Sequence, residues 1–237
     1  MRHSLVARFL LLSLFSGFFS QLHADPVTVK FKSMPMALGM GNLSFQVGGA
    51  YTQFPSDVFM PSKTTFTYSG ENPMVLYQPG VLNGKEQLVP VGHVLFPSGR
   101  NFLVLLVQQS ANAYGGVALA SDASNFPPNS MRICNLTPLK LVAVCNDKSL
   151  SLTPGRFGIV TIDGNGQYNF TVSALRDGQM QQVSASSDQI APGSRHNLLI
   201  LLANASQIAA NPRTRPIIQV NDYEESTKDT SGSSPQN

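Results

Sequence analysis

The chain repeats itself. Pro97-Ser98-Gly99-Arg100, followed by the apolar run Phe102 to Val107, returns 95 residues later as Pro192-Gly193-Ser194-Arg195 with the run Asn197 to Leu202. Upstream, Leu82-Asn83-Gly84-Lys85-Glu86-Gln87 matches Arg176-Asp177-Gly178-Gln179-Met180-Gln181 at an offset of 94. Asn42-Leu43-Ser44 and Pro61-Ser62-Lys63 match Asn135-Leu136-Thr137 and Pro154-Gly155-Arg156 at 93. Four matches in the same order define a duplication, and its period is too long for a solenoid repeat of about 20 to 50 residues. Each copy must therefore own a core.

Each copy reads as strands. Ser130 to Asn135, Leu141 to Cys145, Phe157 to Ile162, Tyr168 to Ala174, Met180 to Ser184 and Asn197 to Ala203 are short apolar or β-branched segments separated by turn residues. Asn83-Gly84 and Asp177-Gly178 supply the positive φ angles of tight hairpins. Tyr168, Phe170, Val172 and Ala174 alternate with polar residues, the period of a strand with one wet face. The expected fold is all-β, two tandem duplicated immunoglobulin-like β-sandwich domains, with one larger jelly-roll-like sandwich as the alternative. The copies are drawn at 25–122 and 130–222, joined by a linker at 123–129 that the Pro127-Pro128 pair makes semi-rigid.

The ends differ from the body. Arg2, His3 and Arg8 precede an apolar run from Phe9 to Phe19, and Ala24 offers a cleavage point, so residues 1–24 read as a signal peptide. No other stretch approaches the length of a membrane span, and the mature chain is expected without one. Residues 223–237 turn small and polar and read as a disordered tail.

Charge excludes some functions. Only 12% of the residues are charged, and 16 Lys and Arg stand against 13 Asp and Glu. The basic residues are scattered singly, without the run or stripe that a nucleic acid needs, so no nucleic-acid partner is expected.

Few residues carry recognisable chemistry. Cys134 and Cys145 flank a segment that reads as two strands folded on each other, and in an oxidising compartment a disulfide is expected across it. Met34, Met36 and Met40 are soft ligands that could hold Cu(I), though flexible apolar packing explains them more simply. His93 and His196 lack counterparts in the sister copy and stand in no zinc-ligand spacing. Asp163-Gly164-Asn165-Gly166 begins like a calcium loop, but Gln167 and Tyr168 break the pattern and it reads as a β-turn. Glu71 and Glu86 read as solvated turn residues rather than as a glycosidase pair. Arg100 and Arg195 are kept by the duplication and are the shared candidates for binding.

The runs ending at Val107 and Leu202 are apolar on both faces. One face belongs to the copy's own core, and the other needs the sister copy, a loop or a partner protein as cover. The expectation is an exported, non-enzymatic structural or protein-binding module of the cell envelope or surface, periplasmic or extracellular, recognising another envelope or surface protein through sheet edges or apolar faces. No cofactor is expected. A periplasmic carrier of a small ligand or Cu(I) is the alternative.

Overall fold

The computed structural model describes residues 26–37, 39–202 and 217–224, with only the backbone described at Gly41, Leu202 and 217–224. The signal peptide expected at 1–24 and residues 225–237 of the expected tail lie outside the described residues. The chain is all-β. Its first half holds β1 (Val27–Pro35), β2 (Ser44–Val47), β3 (Ala50–Gln53), β4 (Phe66–Gly70), β5 (Met74–Leu82), β6 (Lys85–Leu95), β7 (Asn101–Ser110) and β8 (Ala113–Ala120). The second holds β9 (Ser130–Asn135), β10 (Leu141–Cys145), β11 (Lys148–Leu152), β12 (Phe157–Thr161), β13 (Gln167–Arg176), β14 (Gln179–Gln189), β15 (Arg195–Leu202) and β16 (Ile217–Glu224). Tyr223 and Glu224, expected in the tail, are thus strand residues.

The two halves share one pairing scheme. In the first, the sheet order is β3-β2-β5-β6-β8-β7-β1-β4. In the second, the same order is cut into two sheets, β11-β10-β13-β14 and β12-β9-β15-β16. Even the parallel pairing of β1 on β7 recurs, as β9 on β15. This order differs from the ABED and CFG sheets of an immunoglobulin constant domain, so what stands of that expectation is the all-β class.

Local chemistry explains the framework. The hairpins β5–β6 and β13–β14 turn on Asn83 (φ 53°) with Gly84 (φ 73°) and Asp177 (φ 50°) with Gly178 (φ 77°), the two consecutive positive φ values of a type I′ turn. On β13, Tyr168, Phe170, Val172 and Ala174 are buried, as their alternation requires. They enter a core with Met131, Ile133, Leu198 and Ile200. The first half closes instead on aromatic rings. Phe31 meets Phe45 at 5.4 Å between centroids, and Phe54, Phe66 and Phe96 complete the cluster.

A third cluster joins the halves, made of Met34, Met36, Leu103, Leu105 and Leu119 from the first and Cys134 and Leu199 from the second, with Val107, Leu136 and Leu201 packed against it. The second face of each two-sided apolar strand is therefore covered within the chain.

Candidate binding surfaces

Equivalence between the halves follows from backbone bonds. Met36 N–H donates to Leu106 C=O at 2.9 Å, and Leu136 N–H donates to Ile200 C=O at 2.9 Å. β7 and β15 thus correspond at an offset of 94, and β1 and β9 at 100. Met34 matches Cys134, Met36 matches Leu136, Leu105 matches Leu199 and Val107 matches Leu201, so like residues from the two halves fill the shared cluster. The halves pack the same face against each other, as in an isologous dimer.

This register separates Arg100 from Arg195. Arg195 is the counterpart of Asn101, and Arg100 precedes β7. The Arg100 side chain is exposed, and its backbone N–H donates to Asp122 Oδ2 at 3.0 Å. Burial works against the charge of Asp122, but N–H bonds from Arg100 and Asn101 hold its carboxyl below the usual range. Arg195 instead donates through Nη1 to the carbonyls of Ser121 and Phe126. The two arginines therefore stand in different surroundings at non-equivalent positions.

Arg195 has a second arginine as its true companion. Arg132 Nη1 donates to Ala120 C=O, and Nε donates to Asn197 Oδ1 at 2.7 Å. The centroid of the fully buried Phe126 ring lies 4.2 Å from the Arg132 guanidinium carbon and 5.6 Å from that of Arg195. The linker is thus bolted to the second half, well beyond the stiffness its prolines confer. Arg132 is fully buried, and nothing in the sequence pattern singled it out.

The expected disulfide is absent. Cys134 and Cys145 are free, buried thiols. They flank no hairpin, because β9 and β10 belong to different sheets and the chain crosses from one to the other between them. Cys134 faces the cluster between the halves, whereas Cys145 faces the core of the second half. Burial pushes the Cys134 thiol up to about 12 and the Cys145 thiol up to about 11.

The other candidates disperse. Met34 and Met36 lie between the halves while Met40 lies in the first core, all three buried, so their sulfurs belong to two separate clusters. His93 is exposed on β6, and His196 is buried, with Nδ1 3.3 Å from the Tyr168 hydroxyl. Among the described residues, no group of three or more His, Cys, Asp or Glu is placed to hold a metal.

The main exposed features are an edge and two hairpin ends. β14 is eleven residues long, has all but two of its side chains exposed and, among the described residues, forms the edge of its sheet. It contains no Lys, Arg or Pro to protect that edge, and carries instead Asp188 and a bulge in its pairing with β13 opposite Val172 and Ser173. Its counterpart β6 is covered by β8 through a parallel pairing of Gly92–Leu95 with Tyr114–Val117. That approach demands glycine. A Cβ on Gly92 would lie 1.9 Å from Tyr114 O, and one on Gly116 would lie 2.4 Å from Val94 Cγ2. Ser186 stands at the position matching Gly92. Near the hairpin turns, Val81 and Leu82 are exposed in the first half, and Leu175 and Met180 in the second.

Comparison with known proteins assigns no family. No family model matches the chain, and no curated protein matches it. Among solved structures, human GIVD cytosolic phospholipase A2 aligns with a TM-score of 0.24 and 10% identity, over 89% of this chain and 31% of that one. A likeness of that size carries no argument about fold or activity.

Proposed function

We propose that this is an exported, non-enzymatic protein-binding module of the cell envelope or surface, and that it receives an extended segment of a partner protein along β14. The observation that carries this reading is the contrast between equivalent strands, β6 covered by β8 and β14 at the edge of its sheet among the described residues. An edge strand offers a row of backbone donors and acceptors to an incoming strand, and alternate side chains then select the sequence. The exposed Leu175 and Met180 near the turn add apolar contact at one end of that row.

Native mass tests it. The mature chain, extracted gently from its own envelope, is expected to run well above the mass of one chain together with a second protein. Gln181→Lys with Ala185→Lys, both at exposed positions of β14, should return it to a single chain, since lysines on an edge oppose strand addition. Ser149→Lys, on the opposite edge strand β11, should leave the assembly intact. A bare monomer in the unmodified protein, or an assembly indifferent to the β14 lysines, overturns the proposal.

A further inference from the structure

At one end of the second half, the β10–β11 turn, the loop before β13 and the last residues of β14 border an open concavity lined by Asn146, Asn165, Gln167, Asn169, Asp188 and Gln189. These side chains are exposed yet held in place. Asn146 Oδ1 accepts the Asn169 N–H at 2.8 Å, and Asn169 Oδ1 accepts the Ser187 hydroxyl at 2.7 Å. Asn165 Oδ1 accepts the Gln167 N–H at 3.0 Å, and Asn165 Nδ2 donates to Gln167 Oε1 at 3.0 Å. Gln189 Nε2 donates to Asn165 C=O at 2.7 Å, and Asp188 Oδ1 accepts the Gln189 N–H at 2.8 Å.

The bonds have a common consequence. Each amide is anchored by one of its polar atoms or by both, which leaves Asn146 Nδ2, Asn169 Nδ2 and Gln167 Nε2 as donors and Gln189 Oε1 and the second Asp188 oxygen as acceptors. Anchoring removes most of the side-chain entropy that a ligand would otherwise have to overcome.

The lining selects the ligand class. It holds no Lys or Arg, which disfavours phosphate and other anions. It holds one carboxylate, too few for a hard cation that takes six or more oxygens and favours several charged ones. Apart from Tyr168 it is built of polar side chains, so an apolar ligand gains little there. A hydroxyl both donates and accepts, and a cradle offering anchored amide donors beside acceptors suits a molecule carrying several of them. We propose that this concavity binds a neutral saccharide, free or carried on a polymer.

The test is a titration of the intact mature protein with cellobiose and with N,N′-diacetylchitobiose, following side-chain amide resonances by NMR, and a cosedimentation with cellulose and chitin. Expected are shifts at Asn146 and Asn169 with at least one sugar, or retention on at least one polymer. Binding to disaccharide marks a free sugar as sufficient, and binding to polymer alone marks a longer chain. Asn146→Asp with Asn169→Asp keeps the oxygens that accept the Asn169 N–H and the Ser187 hydroxyl while removing both donors, and should weaken binding about tenfold. Gln167→Ala, exposed at the start of β13, provides a second variant with the same expected direction. No response to any of the four probes, or a response that these variants leave unchanged, overturns the proposal.

Discussion

At the scale of single residues, burial governs the chemistry of both thiols. In the unfolded chain each would ionise near pH 9, while in the folded protein burial keeps both protonated to about 12 and about 11. The folded-state values are raised, so the stability they contribute is complete below about pH 9 and is lost as pH rises beyond it, by about 1.4 kcal/mol per unit for each thiol over that window. Urea unfolding at pH 7, 9 and 10 should therefore show a falling midpoint, and Cys134→Ser with Cys145→Ala should flatten the fall. In a separate sample at pH 8, a thiol reagent should label neither cysteine in the native protein and both in urea, with no mass change on reduction. The spacing of the two cysteines did not reveal this, because a hairpin and a crossover between sheets look alike over so few residues. Arg132 was invisible for a related reason. A lone arginine in an apolar segment has no pattern of its own until Phe126 of the linker, Ala120 on its far side and the remote Asn197 arrive beside it.

At the scale of strands, periodicity carried far and register did not. The bounds expected for β9 and β10 are those observed, and those for β12 and β13 differ by a few residues, because turn residues flank apolar segments cleanly there. The sequence pattern does not mark β11 or β16. Lys-Ser-Leu-Ser-Leu is short and half polar, and its strand character comes from pairing with β10. The motif shared by Pro97–Arg100 and Pro192–Arg195 aligned the copies at 95, whereas the backbone bonds align β7 with β15 at 94. A one-residue slip exchanges the two faces of a strand, so the motif sets Arg195 against Arg100 while the register sets it against Asn101. The glycines at the β6–β8 contact give this scale its prediction. Gly92→Ala must move the backbone of β8 and should cost about 2 to 3 kcal/mol in urea unfolding, whereas Ser186→Ala at the matching exposed position should change stability by less than about 0.5 kcal/mol.

At the scale of the whole molecule, the contact between halves is the feature that fixes the architecture. Leu105 and Leu199 are both fully buried there, on matching strands. Leu105→Ala and Leu199→Ala should each cost about 2 to 5 kcal/mol. Their double variant should fall short of the sum or exceed it by more than about 0.5 kcal/mol, because the sites share one cluster. Differential scanning calorimetry checks both, and the same traces should broaden or split as the halves lose their mutual support. The sequence located these runs as apolar on both sides, and the structure supplies the cover. Because that cover is tethered by nine residues or fewer and pinned through Phe126, docking of one half on the other is a unimolecular event. Its effective concentration lies in the millimolar range or above, so a face too weak to hold two separate chains together at cellular abundance is sufficient here. Dilution, which dissolves an ordinary dimer, has no purchase on this one.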